Sequence, residues 1–154
     1  MRFVVINGPN LNLVDFPEKN STATLDYNQI VDLVYQCCMQ LGIETEFYQS
    51  NHEGDLIDEI QSVPGRADGI IINPAGYAYT SVAMLEALRL ADVPAAEVML
   101  HDLSEQEAFH LDDLISLGCQ ARFVNEGIQG YVHAAAFRAG LLRIDAQPGA
   151  HLTS

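Results

Sequence analysis

Four polar segments carry the side chains of this sequence that are best suited to hold a small molecule. They are residues 7–12 (NGPNLN), 49–54 (QSNHEG), 73–77 (NPAGY) and 97–98 (EV). Each lies within or directly after an apolar run of strand length. Amide, carboxyl and imidazole groups at such points can orient a ligand and move its protons.

The elements that position these segments alternate along the chain. The predicted strands are residues 2–7, 43–49, 67–73, 94–100 and 120–125, and the predicted helices are residues 24–41, 55–63, 81–91 and 128–142. Ser81 is placed as the N-cap of the third helix. This alternation predicts an α/β fold with a five-stranded parallel sheet covered by helices on both faces. A flavodoxin-like, doubly wound arrangement is the simplest topology.

In such sheets the ligand binds outside the carboxyl ends of the strands, at the point where the strand order reverses. The segments 7–12, 49–54, 73–81 and 99–110 would then share one rim. The predicted binding site is this rim.

Length and charge limit the class of protein. The 154 residues suit one domain over 1–154, with the polar tail 145–154 expected to be flexible. The net charge is −14, and the seven basic residues are scattered, which disfavours nucleic acid and anionic membrane partners. The apolar runs are far shorter than the ~20 residues of a spanning helix. No signal peptide or disulfide framework is visible, so we expect a cytoplasmic protein.

Together the four segments resemble the type II 3-dehydroquinate dehydratase family, over about residues 2–142. The motifs NGPNLN and QSNHEG, in the correct order, carry most of the resemblance. It implies a flavodoxin-like subunit, trimers assembled into a dodecamer, no cofactor, and elimination of water from a small-molecule substrate through an enolate. In that family a lid tyrosine helped by arginine is the base, an asparagine stabilises the enolate, and a histidine backed by a glutamate is the acid.

Part of the family's machinery is present here. The retained positions are Asn12, Asn73, Ser81 and Glu97, with Glu86 standing for an aspartate. The lid, residues 15–25, contains neither tyrosine nor arginine, and Lys19 is its only cation. The resemblance therefore implies that this chain has the family's cleft but lacks the tyrosine that is the family's usual base.

Other positions are substituted. Tyr79 replaces a substrate-contacting histidine, and Met99 replaces the acid histidine, whose function a thioether cannot perform. Gln106 and His110 replace two arginines in the following loop. These changes predict a pocket that is less cationic and more apolar than that of the relatives.

Several residues are candidates for the missing roles. Tyr79 is either a relocated base or a wall residue, although no cation to activate it is visible in sequence. His101 lies two residues after Met99, so on an extended strand both would face one side, which makes His101 the substitute acid or else a surface histidine. His110 is a candidate for ligand contact. Leu100 is a candidate for ligand contact through its backbone, because backbone donors after Met99, like those of the Asn73 turn, can hold a carboxylate or carbonyl. No metal site is predicted, because the spacing of His101, Asp102 and His110 matches no ligand signature.

Three functions remain open. The first is a cofactor-independent lyase, isomerase or cyclase acting beside a carbonyl of a less anionic substrate than dehydroquinate. The second is an authentic 3-dehydroquinate dehydratase with atypical catalytic residues. The third is a catalytically inert, homo-oligomeric binding or scaffold protein.

Overall fold

Five parallel strands form the central sheet of the computed structural model, which describes residues 1–17, 22–102 and 111–143. The strands are β1 (Arg2–Asn7), β4 (Glu44–Gln49), β5 (Gly69–Asn73), β6 (Ala95–Met99) and β7 (Ala121–Val124). Their order across the sheet is β4-β1-β5-β6-β7, and all four pairings are parallel. Numbered among themselves, the strands run 2-1-3-4-5, which is the flavodoxin-like order. The predicted fold class is confirmed.

Helices cover both faces of this sheet. They are α1 (Tyr27–Gln40), α2 (Glu53–Ser62), α3 (Val82–Ala91) and α4 (Gln129–Arg138). Alternate residues of the strands enter two separate apolar clusters: Val4 and Ile70 pack in the layer of α2 and α3, whereas Phe3 and Ile71 pack in the layer of α1 and α4. Side chains alternate across a strand, so β5 is buried along its whole length between the two layers.

Two caps define helix starts. Ser81 accepts a hydrogen bond from the Met84 backbone nitrogen at 3.0 Å, which confirms it as the N-cap of α3. Asp26 and Gln29 form a reciprocal capping box at the start of α1. The predicted helix over 24–41 therefore begins too early.

The first residues of that predicted helix form a strand instead. Strand β2 (Phe16–Pro17) pairs antiparallel with β3 (Thr24–Leu25), and this small ribbon precedes α1. Leu25 fits a helical spacing in sequence, but its pairing with Phe16 decides its conformation.

The remaining predicted elements are present with boundaries shifted by a few residues at most. Within the described ranges, no helix is long and apolar enough to cross a bilayer. The tail 145–154 lies outside those ranges, as do Lys19, Gln106 and His110.

Candidate active site

The switch point between β1 and β5 brings two backbone segments unusually close. The Gly8 nitrogen donates to the Asn73 carbonyl at 2.7 Å. A side chain on Gly8 would meet the carbonyl oxygen of Pro74 at 2.5 Å, so only glycine fits. This approach joins the NGPNLN and NPAGY segments into one floor.

Beneath that floor lies a buried hydrogen-bond network. The Tyr131 hydroxyl donates to Asn7 Oδ1 at 2.7 Å and accepts from Asn73 Nδ2 at 3.0 Å. Asn73 Oδ1 accepts from the Ala75 nitrogen, and Asn7 Nδ2 donates to the Tyr27 hydroxyl. Burial raises the pKa of Tyr131, despite its bond to Asn73. The phenol is therefore neutral, and it fixes which way both amides point.

Sequence reasoning named Asn73 but missed its partners. Asn7 is the first residue of the NGPNLN motif and the last residue of β1, and that position at a strand end could have indicated its role. Tyr131, on α4, is 58 residues from Asn73. No local pattern connects the two.

Asn12 lies on the open side of the same floor. It is exposed, in a short 3-10 helix over Leu11–Leu13. Gln49 Nε2 is 3.4 Å from Asn12 Oδ1 and 3.1 Å from the Gly8 carbonyl, which it also contacts. Asn12 is thus accessible to a ligand over the floor, and its role there stays a prediction.

Tyr79 ends the 3-10 helix Ala75–Tyr79 at the carboxyl end of β5 and is only 8% exposed. Its hydroxyl donates to Asp102 Oδ1 at 3.0 Å. Asp102 Oδ2 in turn accepts from Arg122 Nη2 at 3.1 Å. The sequence showed no cation near Tyr79. In the structure, Arg122 is connected to the Tyr79 hydroxyl through the Asp102 carboxylate.

Glu97 lies opposite Arg122 in the pairing of β6 with β7 and is fully buried. Arg122 Nε is 3.4 Å from Glu97 Oε2 and 2.9 Å from Asp113 Oδ2. Within the described part of the chain, neither oxygen of Glu97 has a hydrogen-bond partner. Burial and then the adjoining Asp113 raise the pKa of Glu97 to about 10, against the lowering effect of Arg122. Glu97 is thus protonated at neutral pH.

Met99 and His101 do not share a face. Strand β6 ends at Met99, which is 2% exposed, and the chain bends at Leu100 and His101. His101 is exposed, and its ring centroid lies 5.8 Å from that of Phe16 in β2. The expectation that an extended strand continues to His101 is wrong, because the sheet pairing stops two residues earlier.

The other predicted contacts divide between buried and exposed positions. Leu100 is buried at 6% exposure, directly after β6. Ser81 is 1% exposed with its hydroxyl oxygen in the helix cap, which favours a structural role. Glu86 is exposed on α3. Lys19, Gln106 and His110 lie outside the described residues, so their roles stay predictions.

Among the residues with described positions, no group of three or more histidine, cysteine, aspartate or glutamate side chains is arranged to hold a metal ion. Arg122 already occupies the centre of the acidic cluster. What the rim offers chemically is hydrogen bonding and proton transfer.

The sequence of this chain is similar to those of known proteins over most of its length. The family model for dehydroquinase class II matches residues 1–139. The chain belongs to this family. A 3-dehydroquinate dehydratase of Caldicellulosiruptor bescii is 36% identical over 134 residues, 86% of this chain and 92% of the relative. One from Sulfurovum sp. (strain NBC37-1) is 40% identical over 131 residues, 85% of this chain and 81% of the relative.

A solved structure agrees with the dehydroquinase fold. The type II dehydroquinase from Butyrivibrio crossotus superposes with a TM-score of 0.80 at 36% identity, covering 90% of this chain and 97% of that one. In this chain the buried Met99 and the carboxyl groups around Arg122 thus lie on a scaffold of the dehydroquinase fold. The resemblance first seen in the rim motifs is confirmed.

Proposed function

We propose that this chain is a 3-dehydroquinate dehydratase, which eliminates water from 3-dehydroquinate without a cofactor, using substituted proton-transfer groups. The observation that carries the proposal is the extent of likeness to relatives bearing that name. The match covers 81–92% of their lengths at 36–40% identity. The floor that Gly8 and Asn73 form lies at the switch point, where ligands of such sheets bind.

In this proposal the polar rim divides the work. Asn12, exposed above the floor, stabilises the enolate oxygen. Tyr79 takes the proton beside the ketone, and His101, exposed beside Phe16, gives a proton to the leaving hydroxyl. Asn73, whose buried amide is bonded to Tyr131 and to the Ala75 nitrogen, contributes to substrate binding by holding the turn whose backbone faces the rim. Lys19, Gln106, His110 and Glu86 remain proposed contacts with the substrate.

The decisive experiment follows the ultraviolet absorbance of the enone while 3-dehydroquinate is added. Turnover is expected from the wild type, with Tyr79→Phe and His101→Ala each lowering kcat by about 10²-fold or more. Tyr35→Phe is the matched control, since Tyr35 is exposed on α1. A wild type inert at high enzyme concentration would refute this proposal.

A second candidate function rests on Met99. This residue is buried next to the rim where the family has its acid histidine, and a thioether donates no proton. That observation favours a lyase, isomerase or cyclase acting beside a carbonyl of a less anionic, more apolar substrate. Its test is a panel of neutral cyclic hydroxyketones. Equal inertness of wild type, Tyr79→Phe and His101→Ala on all of them would instead indicate the inert scaffold protein.

The assembly and location belong to the same proposal. The family resemblance supports a homo-oligomer built from trimers, with a dodecamer as the expected form, and a cytoplasmic location. Gel filtration with light scattering measures the first. Cell fractionation measures the second.

A further inference from the structure

Beneath Tyr79 lies a cluster of one arginine and three carboxyl groups that the proposed reaction leaves unused. Arg122 is its centre, and Glu97, Asp102 and Asp113 surround it. The side chains of the three acids are at most 7% exposed. Charged groups are rarely buried unless they are paired or functional, and here three buried carboxyl groups surround one arginine. The reacting group that this cluster contacts therefore indicates its role.

The geometry of the cluster points toward Tyr79. One oxygen of Asp102 accepts the Tyr79 hydroxyl at 3.0 Å, and the other accepts Arg122 Nη2 at 3.1 Å. On its other side, Arg122 Nε donates to Asp113 Oδ2 at 2.9 Å. A planar guanidinium held by two carboxylates has little freedom to turn, so it fixes the plane of the Asp102 carboxylate.

We propose that Arg122 is a positioning residue for proton transfer at Tyr79 and acts through Asp102. The inference rests on the proposed function, in which Tyr79 is the base. As the C–H bond beside the ketone breaks, its electron pair forms the enolate and its proton moves to the Tyr79 oxygen. The proton of Tyr79 passes at the same time to Asp102. The enolate then forms the carbon–carbon double bond as the C–O bond breaks, and the hydroxyl takes a proton from His101 and leaves as water. Asp102 releases its proton to solvent, and His101 takes one from solvent, so both groups return to their starting states.

Glu97 lies beside the same guanidinium, with Arg122 Nε 3.4 Å from its Oε2, but makes no hydrogen bond to it. Among the residues that the structure describes, the titratable groups that face the guanidinium are Glu97 from β6, Asp102 after β6 and Asp113 before β7, while Cys119 adjoins Glu97 and Asp113. Burial, and then the neighbouring Asp113, raise the pKa of Glu97 to about 10, so Glu97 competes little with Asp102 for the guanidinium at neutral pH.

The test compares kinetics of matched arginine variants. Arg122→Met is expected to lower kcat for 3-dehydroquinate by about 10- to 10²-fold with KM nearly unchanged, because small misplacements of a reacting group are costly. Arg122→Lys keeps the charge without the fork and should recover part of the loss. The control is Arg66→Met, since Arg66 pairs with Glu46 and Glu59, away from this cluster. Equal kcat in Arg122→Met and Arg66→Met would overturn the inference.

Asp102→Asn is the second variant, useful where Arg122→Met does not fold. It leaves the bond between Arg122 and Asp113 in place and removes the proton acceptor. We expect a similar fall in kcat and a changed pH profile. An unchanged kcat and profile would contradict the role of Asp102.

A readout without substrate separates this inference from the proposed function. In protein labelled with carbon-13 at the Cζ of tyrosine, NMR gives one resonance for each tyrosine. The resonance of Tyr79 is the one that is absent in Tyr79→Phe. The resonance should move in Arg122→Met and Asp102→Asn but not in Arg66→Met. If dehydroquinate is inert and the resonance moves, the function fails while the positioning contact stands. A resonance that stays in place in both cluster variants refutes the contact.

Discussion

Met99 is the residue whose chemistry departs furthest from the family's mechanism, and it yields the first prediction. It lies two residues after Glu97 on β6, so both side chains project to the same face. Met99→His would place a proton donor and acceptor where the family has one. We expect dehydroquinate turnover to rise by about 10-fold or more, measured as enone absorbance.

The control for this change is Met39→His. Met39 is 48% exposed on α1, so the same substitution there adds an imidazole far from the rim chemistry. A folded Met99→His protein with unchanged turnover would contradict this prediction and would mean that an imidazole at position 99 adds nothing to the acid that His101 supplies.

Glu97 gives a prediction about stability and pH. Its pKa is about 10 in the folded chain, against the ordinary value of 4.5. Between these values the unfolded chain has lost a proton that the folded chain keeps. Stability therefore falls as pH rises through this window, by at most about 1.4 kcal/mol per pH unit from this group. Glu97→Gln, which resembles the protonated form, should flatten the decline.

The measurement is the free energy of unfolding in urea at pH 5, 7 and 9. Glu86→Gln is the control, because Glu86 is exposed on α3 and should leave the pH dependence as in the wild type. A decline equally steep in Glu97→Gln and wild type would mean that Glu97 is ionised in the folded protein.

At the scale of elements, the junction of β1 with β5 gives the next prediction. Gly8→Ala would drive a methyl group against the Pro74 carbonyl, which is backbone and cannot turn aside. The two loops must separate, with loss of the 2.7 Å bond from Gly8 to Asn73. We expect the free energy of unfolding to fall by about 1–3 kcal/mol and ligand binding to be lost. Urea unfolding measures the first, and titration calorimetry measures the second.

Gly54→Ala is the matched control for that change. Gly54 lies in the first turn of α2, and nothing stands within 4 Å of an added methyl group. Alanine in a helix is favoured over glycine, so this variant should gain about 0.5–1 kcal/mol. If Gly8→Ala and Gly54→Ala changed the free energy of unfolding equally, the close approach at Gly8 would make no contribution to stability.

The sequence predicted elements better than it predicted the contacts between them. The apolar run of β5 and the Ser81 cap are local signals, and both elements appeared where expected. The start of α1 was misassigned because Thr24 and Leu25 pair with Phe16 and Pro17, a tertiary contact without local trace.

The candidate site was predicted at the rim but not in its partners. Asn12, Asn73 and Tyr79 were named because motifs mark the strand ends, and the structure places them at or after the ends of β1 and β5. Arg122 was missed because only the register of β6 with β7 sets it opposite Glu97. Spacing in sequence carries no record of that register.

At the scale of the whole molecule, the apolar surface argues for assembly. On α3, Val82 and Leu90 are 64% and 77% exposed, and with Glu86 they form a line at spacing of four residues. A net charge of −14 opposes association through repulsion between copies, so an interface needs apolar contact to offset it. Burying it against another copy still removes apolar area from water, at roughly 25 cal/mol per Å².

We therefore expect the α3 line to lie in an interface between copies. Light scattering should give a mass that is a multiple of three chains of 16.9 kDa for the wild type. The double variant Val82→Glu with Leu90→Glu should lower that mass, because it would bury like charges beside Glu86. Met39→Glu with Tyr35→Glu on α1, at 48% and 45% exposure, is the matched control. If the control pair dissociates the protein while the α3 pair does not, the interface lies on the face of α1 instead.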